Sequence, residues 1–134
     1  MNSLENEKAN APEVTGINAL MRANVASVFN ERNSDRRRAA LGQLYTEDAI
    51  LYEPEAVAIG RDAISQAVGK LLESLPPDVV FTVVADAVGH NGAARLFWRA
   101  GPSGGSVGAT GTDVALVDGG RIKRLYVFVD PAPR

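Results

Sequence analysis

The sequence predicts an α+β domain in which three N-terminal helices pack on one face of a curved, mostly antiparallel sheet. Apolar residues recur at three- and four-residue intervals through the first half of the chain. After Pro76-Pro77 the pattern changes to β-branched segments joined by glycine-rich turns, and it keeps that form to the end. Size agrees, since 134 residues with 46% apolar and 22% charged side chains suit one soluble domain with its own core.

Residues 1–14 hold Asn, Glu, Lys and Pro with little to bury, so a disordered tail is expected there, leaving residues 15–134 as a single domain. Ile17, Leu20, Met21, Val25, Val28 and Phe29 trace one apolar stripe, which predicts a first helix ending near Arg32. Asn33 and Ser34 are capping residue types. Ala40, Leu41, Leu44 and Tyr45 then repeat the helical spacing over a shorter second helix. The β-prone run Ala49-Ile50-Leu51-Tyr52-Glu53 stops at Pro54, which has no backbone N–H to give a ladder, and reads as a short first strand. Beyond Gly60, Ile64, Val68, Leu71, Leu72 and Leu75 mark a third helix closed by the two prolines.

Val79 to Val88 reads as a strand, His90-Asn91-Gly92 as a tight hairpin turn, and Ala93 to Ala100 as the antiparallel return. GPSGGSVGATG at 101–111 is a glycine-rich connection without the Gly-Lys-Ser/Thr ending of a phosphate loop, so a flexible hairpin or pocket lid is expected. Thr112 to Val117, the turn Asp118-Gly119-Gly120 and a closing strand from Arg121 to Val129 complete the chain.

Composition narrows the chemistry. The absence of cysteine excludes disulfides, thiolate metal sites and a cysteine nucleophile. A net charge of −2 and a pI near 5.4 argue against a nucleic-acid partner. No apolar run reaches the ~20 residues that span a bilayer, and the N-terminus lacks the parts of a secretory leader; a cytoplasmic protein with no membrane partner is expected. The single histidine, His90, falls at a hairpin tip, so neither a histidine triad nor a metal centre is expected. Arg36-Arg37-Arg38 opens the second helix and reads as a solvated face.

Two carboxylates interrupt apolar strand patterns. Asp113 shares a strand face with Ala115 and Val117. If that face is the core, burial raises the carboxyl pKa toward neutrality; if it is solvated, Asp113 is an ordinary surface residue. Glu53 ends the first strand before Pro54, at a rim or simply at an exposed strand end. Asn24 borders the first helix's stripe, and Trp98 shares a face with Leu96 and Ala100. Leu125, Val127 and Val129 alternate on the last strand, leaving Tyr126 and Phe128 to point outward.

The passage LYTEDAILYEP, with Gly60-Arg61 shortly after it, the Trp98 strand, and then DVALVDGGRI resemble the SnoaL-like polyketide cyclase and ketosteroid isomerase group of the nuclear transport factor 2-like superfamily. The resemblance covers about Ile17 to Asp130. It implies a cystatin-like cone, in which a bent sheet and three helices enclose an apolar pocket, and a homodimer formed through the outer sheet face. On it, Glu53 takes the position of a general base before proline, and Asp113 that of a carboxylic acid donating to a developing enolate oxygen. Such a pairing is the ketosteroid isomerase pattern, with one carboxyl abstracting a proton and the other remaining protonated. Tyr45 matches a supporting tyrosine on the second helix. Trp98, Asn24, Phe29, Leu96, Leu125, Val127 and Val129 are expected to bind the ligand.

Two departures bear on activity. The first helix carries no tyrosine to hold an oxyanion, and Glu53 is one methylene longer than aspartate, so a ligand other than a steroid is implied. The expected function is cofactor-free acid–base proton transfer, by isomerisation, cyclisation or dehydration, on an apolar carbonyl or polyketide-like substrate. Two alternatives stand beside it: a non-catalytic hydrophobic-ligand or dimeric interaction module, and an epoxide-opening hydrolase or cyclase.

Overall fold

Helix α1 (Ile17–Asn24) begins where the apolar stripe begins and buries Leu20, Met21 and Asn24. This is a computed structural model describing residues 16–132; the expected tail at 1–14 lies outside the described residues. The stripe continues through a π-helical turn, Val25–Phe29, that buries Val25, Val28 and Phe29. The turn closes at Asn30, short of Arg32, because the Asn30 amide bonds the backbone of Phe81 in both directions at 2.8 Å. Such a long-range clasp leaves no trace in local spacing.

Helix α2 (Ser34–Leu44) is capped by Asn33, whose Oδ1 accepts from the Arg36 N–H at 2.9 Å. Tyr45, expected to continue this helix, instead opens strand β1 (Tyr45–Glu53). The Arg61 guanidinium donates twice to the Tyr45 carbonyl, at 2.6 and 3.2 Å, and Tyr45 pairs with Ile122. These contacts hold its backbone extended. Strand β2 (Ala56–Ile59), not anticipated from the sequence, folds back on β1 across Pro54-Glu55 with Glu53 opposite Ala56. Helix α3 (Arg61–Ser74) follows Gly60, whose φ of 89° suits glycine.

The single strand expected over Val79 to Val88 is two, β3 (Val79–Val83) and β4 (Val88–His90). Between them, Asn18 of α1 accepts from the Ala87 N–H at 2.8 Å, and Arg22 pairs with Asp86 at 2.7 Å. These bonds draw the segment off the ladder and onto the helix. Strands β5 (Ala93–Pro102), β6 (Ala109–Asp118) and β7 (Arg121–Val129) follow, the last with its expected bounds. Asn91-Gly92 and Gly119-Gly120 all have positive φ, as two-residue hairpin turns require.

The sheet runs β2-β1-β7-β6-β5-β3, with β4 also on β5, and every pairing is antiparallel except β1 with β7. A register shift at Lys123 interrupts strict alternation, so Ile122 and Leu125 both enter the core. The helices cover the inner face, where Leu41, Leu51, Ile64 and Val68 are fully enclosed. Each such side chain contributes about 1.5–3 kcal/mol of burial. The outer face keeps Phe97, Leu116 and Phe128 exposed, with Tyr52 and Tyr126 stacked at 4.6 Å.

The expected solvated triplet 36–38 is divided. Arg36 pairs with Glu31 and Arg38 with Asp62, but Arg37 is 4% exposed between α2 and α3. Its guanidinium donates to the Ser65 carbonyl and hydroxyl and to the Glu31 carbonyl. Gly69 leaves it room.

Candidate active site

Between the π turn, α3 and the inner sheet lies a cavity of about 90 Å³. Val25 and Phe29 come from the π turn, Leu71 from α3, and Phe81, Trp98, Val127 and Val129 from the sheet. Among the described residues, Glu53 and Asp113 are the only ionisable ones in its wall, with Pro54 beside Glu53. Strand alternation explains the inward set, since Trp98 faces in with Leu96, and Asp113 with Gly111 and Ala115.

Asp113 is 4% exposed, and its Oδ1 accepts from the Trp98 indole N–H at 3.0 Å. Burial pushes its pKa from 3.8 to about 7, and the indole hydrogen bond offsets part of that rise. Glu53 is half-buried, and desolvation raises its pKa as well. Among the described residues the wall holds no cation to counter either effect. Trp98 meets Phe81 edge-on at 5.5 Å, and Phe81 meets Phe29 in the same way at 6.2 Å.

Of the residues expected from sequence, Glu53, Asp113, Trp98, Phe29, Val127 and Val129 come together in this wall. Tyr45, Asn24, Leu96 and Leu125 do not line it, and all four are completely buried. Leu96 lies opposite Asp113 in the ladder, and Leu125 opposite Ala115, where the helices cover them. Tyr45, one residue past the end of α2 and extended rather than helical, donates to Asn24 Oδ1 at 2.6 Å. Burial and the Asp113 charge hold the Tyr45 hydroxyl well above its usual pKa, against the lowering effect of the Asn24 bond. Val25, Leu71 and Phe81 line the cavity without having been anticipated, because an apolar wall and an apolar core share one sequence pattern.

The glycine-rich turn does not cover the cavity. Gly105, Ser106 and Val107 edge a separate shallow depression with Thr82 and Arg99, and the turn is closed by bonds from Gly105 to Pro102 and from Gly108 to Ala100. His90 is exposed against Asn91. Among the described residues no group of three His, Asp or Glu side chains is placed to hold a metal, and no helix is long and apolar enough to cross a membrane.

The SnoaL-like domain profile matches residues 10–125. Among solved structures, a proposed isomerase of the SnoaL-like family from Agrobacterium tumefaciens is 26% identical, with TM-score 0.77 over 84% of this chain and 95% of that one. A proposed polyketide cyclase from Sinorhizobium meliloti is 16% identical, with TM-score 0.65 over 83% and 94%. A proposed ketosteroid isomerase from Kribbella flavida is 20% identical, with TM-score 0.64 over 87% and 79%. A search of the curated proteins finds no significant match.

Proposed function

Because this chain belongs to the SnoaL-like domain family, we propose that it is a small-molecule enzyme that moves a proton next to a carbonyl group in an apolar substrate, polyketide-like in kind. One observation carries the reading: two carboxyls, both made less acidic by burial, share a cavity whose remaining wall is apolar.

Glu53 is the more exposed of the pair and therefore the more readily ionised, which makes it the base. Its carboxylate takes the proton from the carbon beside the carbonyl. The C–H electron pair becomes a C=C bond, and the carbonyl π pair moves to oxygen. Asp113, keeping its proton up to about pH 7, donates to that oxygen as charge develops. Return of the proton from Glu53 to another carbon isomerises the substrate. Attack of the carbanion on a second carbonyl forms the ring C–C bond and an alkoxide, which takes the proton back from Glu53; alternatively, a β-hydroxyl protonated by Glu53 leaves as water and dehydrates the substrate. We further propose that the chain forms a homodimer through its outer sheet face, where aromatic and aliphatic side chains stand exposed.

The test is exchange of α-protons for deuterium on a panel of apolar ketones and β-diketones, followed by proton NMR. Exchange is expected with the native chain, slowed about 100-fold or more in Glu53→Gln and in Asp113→Asn. Equal rates in all three proteins would overturn the catalytic reading. Saturable binding without exchange would favour a ligand-binding module instead.

A further inference from the structure

Trp98 was expected to bind the ligand, and its single polar atom is engaged by Asp113. We propose that Trp98 is a positioning residue: by holding Oδ1 of Asp113, its N–H leaves Oδ2 as the one oxygen that carries the acid proton and presents it to the cavity. For its catalytic consequence, the inference rests on the proton-transfer reading above.

The argument starts from the donor inventory. An indole N–H donates and cannot accept, and in a neutral carboxylic acid the carbonyl oxygen is the good acceptor. A 3.0 Å bond from Trp98 to Oδ1 therefore selects the form of Asp113 whose proton sits on Oδ2. A hydroxyl in the place of the indole would rotate and accept, and the proton would pass to either oxygen. The indole makes the acid one-sided.

Oδ2 has room to act. Among the described residues, Asn24 Nδ2 is the only fully enclosed side-chain nitrogen or oxygen without a partner. Oδ2 of Asp113, which makes no hydrogen bond to another described residue, is thus not sealed in, and Asp113 lines the cavity. Glu53 lines the same cavity from β1. The Tyr45 hydroxyl gives its proton to Asn24, not to Asp113.

The indole is also kept from turning. Phe81 packs edge-on against it, and Phe29 packs on Phe81. Gly111 stands directly opposite Trp98 in the ladder, and the ring lies over the point a Cβ there would occupy. Trp98 and Asp113 are diagonal neighbours on the inner face, since Leu96 is the residue opposite Asp113.

Trp98 is the only tryptophan, so its indole N–H gives a single assignable signal in a ¹H–¹⁵N spectrum of the full chain. That resonance is expected to shift with pH around a midpoint near 7, following Asp113, and to stop shifting in Asp113→Asn. A resonance indifferent to pH from 5 to 9 in the native chain would overturn the proposal. In a second measurement, Trp98 is replaced by β-(3-benzothienyl)alanine, which keeps the ring shape and removes the donor, or by Phe. The carboxyl ¹³C midpoint of Asp113 is then expected to rise by about one unit, as when an ionised group loses a hydrogen bond. An unchanged midpoint in the folded benzothienyl protein would also overturn it. The ketone-exchange kcat should fall about tenfold or more while KM stays within about twofold, a split that loosened packing alone would not produce. If the two carboxyl variants leave exchange unchanged while the indole still titrates, the function is wrong and the proton placement stands. If exchange needs both carboxyls and the indole does not titrate, the placement is wrong and the function stands.

Discussion

Gly111 and Trp98 face each other across the β5–β6 ladder, and the indole occupies the space that any side chain at 111 would need. A Cβ there would also meet the Phe128 carbonyl oxygen, which belongs to the sheet and cannot step aside. The glycine therefore acts through the ring it admits rather than through backbone freedom. Gly111→Ala is expected to cost about 1–3 kcal/mol, lowering Tm on the order of 5–10 °C. The single-tryptophan fluorescence should shift to the red as the ring is displaced. An unchanged melting curve and spectrum would show that the ring has slack.

The buried acid makes stability depend on pH. Asp113 keeps its proton up to about pH 7 in the folded chain but gives it up around 3.8 once unfolded. Between those values the native state binds more protons than the unfolded state, so stability falls as pH rises. The contribution is complete below about pH 4 and lost above about pH 7, on the order of a few kcal/mol in all. Glu53 acts in the same direction and, being half exposed, by less. Urea titrations at pH 5, 6, 7 and 8 should show this decline. Asp113→Asn should flatten it and exceed the native chain in stability at pH 8; a native chain of constant stability across that range would contradict the burial argument.

Asn24 and Tyr45 form another buried polar pair, joined at 2.6 Å with neither side chain reaching solvent. Tyr45→Phe leaves Asn24 Oδ1 without its donor beside an Nδ2 that already lacks an acceptor, and should cost about 1–3 kcal/mol. Asn24→Leu should cost a similar amount by leaving the hydroxyl unbonded. The double variant is expected to cost clearly less than the sum, because no polar atom of the pair then remains to be stranded. Additive losses in a denaturation cycle would mean that the two residues act independently.

What the sequence conveyed depended on the range of the interactions involved. The strand Arg121–Val129 was legible to the residue because its limits are local, set by a Gly-Gly turn and by alternating side chains. Glu53 and Asp113 stood out as charges within apolar patterns, and both line the cavity. Tyr45 was misplaced onto a helix because Leu41, Leu44 and Tyr45 satisfy helical spacing, whereas Arg61 and Ile122, which hold it extended, are distant in the chain. The break at residues 84–87 and the π turn's closure at Asn30 likewise depend on Asn18 and Phe81. The Trp98–Asp113 bond required the strand register, which no single strand contains.

The outer sheet face supplies the last prediction. Successive cross-strand rows place Tyr52 beside Tyr126 and Val114, and Phe128 beside Thr112 and Phe97, while Leu116 pairs with Arg124. Phe97, Leu116 and Phe128 are each more than 40% exposed, and Arg95 lies over the Phe97 ring at 4.4 Å. A second copy of the same face would bury these apolar rows against their like. Sedimentation at micromolar concentration should therefore give a dimer. Phe128→Glu and Leu116→Glu should each give a monomer with unchanged far-UV circular dichroism, because both side chains point away from the core and a buried unpaired carboxylate is costly only in the assembly. A native chain that sediments as a monomer would remove the dimer and leave this face without an assigned role, while variants that remain dimeric would move the interface elsewhere.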